Sequence, residues 1–167
     1  EVAIEVAGGR LYGTLLTPTG SDTAPAVLII PGSGPTNRDG NQPQLRNDSL
    51  KQLAEGLAQR GIASLRIDKR GIGASRGAAK QESDLRFDDY AADAATWLDF
   101  LKQRAAPAHA FALGHSEGAL VATLAAERSP VKGLILLGGP GFSFGDLLRR
   151  QVHAGGLAPF ERARAEN

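Results

Sequence analysis

The sequence contains no cysteine among its 167 residues. This absence excludes disulfide bonds, a cysteine nucleophile and thiolate metal sites, although it does not decide the compartment, which is cytoplasmic or, after removal of a leader, periplasmic or secreted. Neither sign of charge dominates, since 19 basic residues stand against 18 acidic ones and no basic run stands out. A nucleic-acid or anionic-membrane partner is therefore not expected. No apolar run reaches the length of a membrane span, and no signal-peptide pattern is present.

The residues that are present indicate one α/β domain. Hydrophobic residues make up 42% of the chain, which is enough for a folded core. From residue 26 onward, short apolar runs of strand length alternate with segments of helical period. This alternation predicts βαβ units and a mostly parallel, doubly wound sheet with helices on both faces. Two extended runs at 1–6 and 11–17, separated by Gly8-Gly9, predict an N-terminal antiparallel hairpin.

The boundaries of these elements follow from turn and capping residues. Ser49 and Gln52 fit a capping box at the start of the first helix, and Gly61 is a natural stop after it. Residues 77–84 are predicted as a polar loop, and residues 157–167 as a polar tail with weak helical character. Strands are predicted at 26–30, 62–67, 110–113 and 131–137, and the later helices at about 84–104, from 118 to about 128, and at 146–154.

The pattern Gly-x-Ser-x-Gly occurs three times, at 73–77, 114–118 and 141–145. Only the copy at 114–118 has a strand directly before it and a helix directly after it, which is the arrangement called a nucleophile elbow. A helix N-terminus also leaves free N–H groups near the serine, and these suit a developing negative charge. Context therefore selects Ser116 as the candidate nucleophile.

Sites in parallel sheets lie beyond the C-terminal ends of the strands. The loops at 31–47, 68–84 and 114–118 all follow such strand ends. We therefore expect Ser33 and Ser116 to approach each other, although 83 positions separate them.

Three motifs together resemble the α/β-hydrolase superfamily. They are PGSG at 31–34, Asp-x-Arg-Gly-x-Gly-x-Ser at 68–75 and GHSEG at 114–118. The wording PGSGPTNRDGN with GHSEG is similar to bacterial esterases and serine-aminopeptidase-like hydrolases. The resemblance covers nearly the whole chain and implies a sheet of the α/β-hydrolase type that stops after its sixth strand.

The resemblance also implies roles for individual residues. Ser116 would be the nucleophile, and the backbone N–H groups of Glu117 and Ser33 would be the two oxyanion donors, with Gly34 as the alternative to Ser33. Gly34 and His115 would also contact substrate, although His115 fits packing of the elbow better. The substrate would be a small carboxylic ester, or else a thioester or peptide, cleaved through an acyl-enzyme on Ser116.

The sequence departs from the family pattern after the serine. In this superfamily the acid and the histidine follow the nucleophile, but only His153 lies beyond Ser116, within a predicted helix. Asp146 stands where some members carry the acid. The chain therefore looks like the N-terminal part of a longer hydrolase, with a core at 1–141 and a helical segment at 142–167 that begins a lid or a connection to further strands. We expect the 167-residue chain alone to react poorly with a fluorophosphonate.

Two alternatives follow from that departure. The chain is a non-catalytic binding domain that keeps the elbow as architecture, or His153 serves as the base because the segment after residue 141 folds back over the strand ends. A nucleotide-dependent protein is disfavoured, because Arg76 occupies the third glycine position of a dinucleotide fingerprint.

Cofactor and metal sites are not predicted. The one EF-hand register, at 35–46, lacks the acidic first and last ligands. His109 is expected to be an exposed loop residue and Trp97 a core residue. Asp68 and Arg70 are expected to fix their loop through an ion pair or backbone hydrogen bonds.

Overall fold

A computed structural model of the chain describes residues 1–20, 24–79, 81–104 and 109–154. These residues form one six-stranded sheet and four α-helices. The strands, in chain order, are β1 Val2–Val6, β2 Gly9–Leu16, β3 Ala26–Ile30, β4 Ala63–Ile67, β5 Ala110–His115 and β6 Gly133–Leu137. The helices are α1 Ser49–Ala58, α2 Phe87–Arg104, α3 Glu117–Arg128 and α4 Phe144–Ala154.

The sheet order is β1-β2-β4-β3-β5-β6. The hairpin β1–β2 is antiparallel, as the glycine pair predicts, and β2 also pairs antiparallel with β4. The remaining pairings, β4 with β3, β3 with β5 and β5 with β6, are parallel. The predicted mostly parallel sheet with an N-terminal hairpin is therefore confirmed.

Helices cover both faces of the central strands. On one face α2 and α3 pack against each other and against β3 and β5, while α1 packs on β4 on the other face. All five residues of β3 are buried, and its side chains contribute to the core on both faces of the sheet. Trp97 on α2 is fully buried, as its place on an apolar stripe predicts, and it meets the ring of Phe100 edge-on. Burying side chains of this size stabilises the fold by about 2–3 kcal/mol each.

The start of α1 differs from the predicted capping box. The N-cap is Asp48, with φ 51°, and its own side chain makes no capping hydrogen bond, while the side-chain oxygen of Asn47 accepts from the Ser49 N–H at 3.0 Å. The N–H group of Leu50 donates instead to the backbone carbonyl of Asp39, at 3.1 Å. The long loop at 36–48 folds back over the start of the helix. A main-chain carbonyl therefore accepts from an N–H group of the first turn, a role that the predicted capping box gave to the Ser49 side chain.

Two 3₁₀ turns, Gly73–Ala78 and Glu82–Asp84, occupy part of the segment predicted as a polar loop at 77–84, in which residue 80 is not described. Residues 157–167 lie outside the described residues.

In the described part of the chain, β6 pairs only with β5, and four successive apolar side chains on it are between 38% and 52% exposed, namely Leu134, Ile135, Leu136 and Leu137. Among the helices so described, none has both the length and the apolar character needed to cross a bilayer.

Candidate active site

Ser116 lies at the junction between β5 and α3. Its backbone has φ 52° and ψ −122°, a conformation that a non-glycine residue adopts only when its surroundings hold it there. Its N–H group donates to the carbonyl of Leu137 on β6 at 2.8 Å, which fixes the turn from one side. No hydrogen bond among the described residues uses the Ser116 hydroxyl. The side chain that the sequence selects as a nucleophile is thus held on a strained turn with its oxygen free.

Glycines make this tight turn possible. A Cβ atom on Gly114 would collide with the backbone of Gly118, and one on Gly118 would lie 2.5 Å from the carbonyl oxygen of Ile30. Real Cβ atoms do not approach other heavy atoms that closely, so larger residues at either position would push β5 and α3 apart. The spacing of the two glycines around Ser116 is therefore a packing requirement.

The loop after β3 lies directly against the elbow. A Cβ atom built on Gly32 would lie 3.3 Å from the Cβ of Ser116 and 3.2 Å from Nδ1 of His115. The expectation that the 31–47 and 114–118 loops meet is confirmed, since Ser33 follows Gly32 at once. His115 is exposed and borders this contact. Ser33 is exposed as well, and its carbonyl accepts a 2.8 Å hydrogen bond from Thr36 Oγ1 that braces the loop.

The backbone N–H groups proposed as oxyanion donors have no acceptor within the described residues. They belong to Ser33, in the loop after β3, and to Glu117, the first residue of α3. Gly34, next in the loop, is exposed and has φ 67°. Unbonded N–H groups beside a serine hydroxyl are the elements from which an oxyanion hole is built.

The other two copies of Gly-x-Ser-x-Gly have structural roles. Ser75 is fully buried, and its hydroxyl donates to the carbonyl of Asp68 at 3.1 Å and accepts from the N–H of Tyr12 at 2.9 Å. Ser143 precedes α4, where its hydroxyl bonds the Asp146 carboxylate at 2.6 Å and accepts from the Asp146 N–H at 3.2 Å. Both hydroxyls are occupied, in contrast to that of Ser116. Among the three serines, the described contacts therefore leave only the Ser116 hydroxyl without a hydrogen bond.

Asp68 fixes the loops around the strand ends, as expected. Its side chain is 2% exposed and accepts from the N–H groups of Arg38 at 2.8 Å and Ala74 at 3.0 Å. The Arg38 guanidinium also lies 3.1 Å from this carboxylate. Asp68 thus joins the loop after β3 to the loop after β4.

Arg70 has a comparable role. It forms a bidentate pair with Asp93 on α2, with N–O distances of 2.6 and 2.9 Å, and donates to the carbonyls of Ala7 and Ala78. The guanidinium therefore ties the hairpin, the 3₁₀ turn and α2 together. Among the described contacts, neither Asp68 nor Arg70 forms a hydrogen bond with Ser116.

Lys69, between these two residues, is a feature that the sequence reasoning missed. Its side chain is 6% exposed, and Nζ donates to the Gly32 carbonyl at 2.5 Å. The Glu117 carboxylate lies 3.8 Å from the same Nζ. Burial lowers the pKa of Lys69, and the negative charge of Glu117 opposes that shift. The signal available in the sequence was its position directly after β4, at the edge where the site loops meet.

A cleft of about 550 Å³ opens beside these groups. Its walls come from the loop after β3, the loop after β4, the start of α2 and the start of α3, and include Gly34, Lys69, Ile72, Phe87, Tyr90 and Glu117. The cleft is large enough for a small organic molecule next to the elbow.

The described residues provide no histidine in hydrogen-bond contact with Ser116. His153 is exposed in the last turn of α4 and forms an interaction of its own, while His109 is exposed before β5, as expected. Asp146 is bonded to Ser143 and lies 3.1 Å from Arg149 at the start of α4. The roles of His153 and Asp146 as base and acid therefore remain predictions.

Comparison with known proteins gives a family match and a sequence relative. A model of the family described as "serine aminopeptidase, S33" matches residues 47–154. Esterase EstD of Thermotoga maritima is 30% identical over 142 residues, which are 85% of this chain and 33% of that protein.

Solved structures show the same fold. A proline iminopeptidase-related protein from Thermus thermophilus is 26% identical, with a TM-score of 0.66 over 98% of this chain and 54% of that one. The ferulic-acid complex of Est1E from Butyrivibrio proteoclasticus is 23% identical, with a TM-score of 0.68 over 95% of this chain and 59% of that one. The chain thus spans a third of the curated relative and somewhat more than half of these two structures.

Proposed function

Because the chain belongs to the serine aminopeptidase family of α/β-hydrolases, we propose that it carries the nucleophile and oxyanion hole of a serine esterase. The observation that carries this proposal is Ser116 itself, which sits on a strained β5–α3 turn with a free hydroxyl, against the loop that contains Ser33. Ester hydrolysis is preferred to peptide hydrolysis because the curated relative is an esterase.

In the proposed reaction, Ser116 Oγ attacks the ester carbonyl carbon and its proton passes to a general base. The N–H groups of Ser33 and Glu117 donate to the oxyanion of the tetrahedral intermediate, which collapses as the alcohol leaves with a proton. Water then attacks the acyl-enzyme, and the carboxylic acid departs. The cleft beside Gly34 and Tyr90 would hold part of the substrate.

The general base is the component that separates this proposal from the alternative. Without a base the Ser116 hydroxyl is a weak nucleophile at neutral pH. A non-catalytic domain that retains the elbow is favoured by one observation, which is that no described histidine forms a hydrogen bond with the Ser116 hydroxyl. Chemical labelling distinguishes the two functions.

We expect a fluorophosphonate to label the full gene product rapidly, and mass spectrometry to place the label on Ser116. Ser75 and Ser143, the serines of the other two Gly-x-Ser-x-Gly copies, serve as internal controls in the same mass spectra and should carry no label. Residues 1–167 expressed alone should be labelled slowly, because we expect the base to lie elsewhere. An unlabelled full gene product would favour the binding domain, and fast labelling of residues 1–167 that is lost in His153→Ala would make His153 the base.

A second prediction concerns the oxyanion loop. Ser33→Ala should retain most esterase activity, because the proposed donor is the backbone N–H, whereas Ser33→Pro removes that donor and should lower kcat by about 10²- to 10³-fold. The thermal unfolding midpoint of both variants serves as the control for folding. Equal losses in the two variants would show that the Ser33 hydroxyl, and not its amide, carries the role.

A further inference from the structure

Lys69 contacts both segments of the proposed oxyanion hole, and the mechanism above does not use it. It is 6% exposed at the end of β4, and its ammonium group donates to the Gly32 carbonyl over a separation of 37 positions. A charged lysine is costly to bury unless its hydrogen bonds and counter-charge offset the loss of water. Its position therefore calls for a structural reason beyond filling space.

The reason lies in the peptide unit that Lys69 binds. The Gly32 carbonyl and the Ser33 N–H belong to one planar trans peptide, so they point in opposite directions. A donor that fixes the carbonyl also fixes the direction of the N–H. A cation on the carbonyl oxygen further withdraws electron density from the amide nitrogen, which makes the Ser33 N–H a stronger donor.

The second contact of Lys69 reaches the other side of the site. The Glu117 carboxylate lies 3.8 Å from Nζ, and Glu117 is the residue whose N–H is the second proposed donor. The ring of Tyr90 lies 5.6 Å from Nζ and covers the ammonium group from α2. One buried cation thus contacts both segments that supply the N–H groups.

We propose that Lys69 is a positioning residue that orients and polarises the Ser33 N–H through the Gly32 carbonyl, and holds Glu117 beside it. The inference rests on the proposed esterase function of Ser116. Lys69 does not touch substrate in this scheme, and it exchanges no proton with it. Its effect should appear in the transition state, where the oxyanion forms, and not in ground-state binding.

The test replaces Lys69 by methionine, which has a similar length and no charge. In the full gene product, kcat for a neutral p-nitrophenyl ester should fall by about 10- to 100-fold while KM changes less than about twofold, since the donor is weakened rather than removed. Lys102→Met is the matched control. Lys102 lies on α2 away from the site, and its ammonium group also donates to a neutral oxygen acceptor, the Oγ of Ser129, at 2.7 Å. An unchanged kcat, or a loss that accompanies a collapse of the thermal unfolding midpoint, would overturn the proposal.

The pH profile gives an independent readout. Burial lowers the pKa of Lys69, with the Glu117 charge opposing it, so Lys69 loses its proton at lower pH than an exposed lysine. The charged and titratable groups around it are Glu117 from α3, Tyr90 and Asp93 from α2, and its neighbours Asp68 and Arg70. Wild-type kcat should decline on the alkaline side, and Lys69→Arg, which stays protonated, should not show this decline. Persistence of the decline in Lys69→Arg would assign it to another group and contradict the proposal.

A spectroscopic measurement separates failure of this inference from failure of the esterase proposal. Loss of the cation should shift the ¹⁵N resonance of the Ser33 amide upfield in Lys69→Met but not in Lys102→Met. If the wild type hydrolyses no ester yet the Ser33 shift occurs, the esterase proposal fails and the positioning contact stands. If ester is hydrolysed and the Ser33 resonance does not move, the Lys69 inference fails.

Discussion

Ser116→Ala should lower kcat for ester hydrolysis by the full gene product by about 10⁴- to 10⁶-fold, to the level that binding and the oxyanion hole sustain without a nucleophile. The expected effect is this large because the remaining groups cannot form an acyl-enzyme. KM should change little, since the hydroxyl contributes mainly to the transition state. Steady-state kinetics with a chromogenic ester, together with the absence of a burst of alcohol release, would measure the loss.

The matched control for this variant is Ser143→Ala. Ser143 sits in the same Gly-x-Ser-x-Gly pattern but caps α4, so its removal should cost about 1 kcal/mol of stability and leave kcat near the wild-type value. If Ser116→Ala keeps its turnover, the nucleophile lies elsewhere in the protein and the elbow is architecture alone.

Gly114→Ala should destabilise the fold by more than about 4 kcal/mol, or prevent folding altogether. The added methyl group would be driven into the backbone of Gly118, and backbone on both sides of the turn cannot give way as a flexible side chain could. The free energy of unfolding from urea titration, followed by circular dichroism, measures the effect. It is a prediction about packing, so it is independent of catalytic activity.

Gly56→Ala is the matched control, because it makes the same substitution at a position without close neighbours. Gly56 lies inside α1, where the closest neighbour of an added Cβ is Arg60 Nη1 at 3.7 Å. Alanine there should stabilise the chain by about 0.5–1 kcal/mol, because it favours the helix. A loss at Gly114 no greater than the change at Gly56 would mean that β5 and α3 do not approach as closely as the structure indicates.

Much of the fold could be predicted because its cause is local in the sequence. Each of three local patterns predicts the element that it forms, namely the AVLII run of β3, the Gly8-Gly9 turn and the helical period of α2. The approach of the 31–47 loop to Ser116 was also predictable, since parallel strands bring their C-terminal ends to one edge.

One feature was mispredicted and another was missed, and both depend on tertiary contacts. The start of α1 is bonded by the Asp39 carbonyl, which reaches it only because the 36–48 loop turns back. The burial of Lys69 follows from its contacts with the loop after β3, with α2 and with α3, whereas its sequence neighbours, both charged, suggest an exposed side chain. Local patterns report propensity, while these two features are decided by tertiary structure.

The hydrogen bond from Ser116 N–H to the Leu137 carbonyl bears on how the molecule assembles. The bond, like that between Lys69 and Gly32, joins segments that are brought together only after a large loop has closed, so it carries an entropic cost that local contacts do not. This hydrogen bond therefore forms only when β6 docks beside β5. During synthesis from the N-terminus, residues 1–118 already contain the serine and both of its glycines, but they lack the strand that sets its backbone. The chain thus passes through a stage at which Ser116 and both of its glycines have been synthesised, while the β6 carbonyl that accepts from the Ser116 N–H has not.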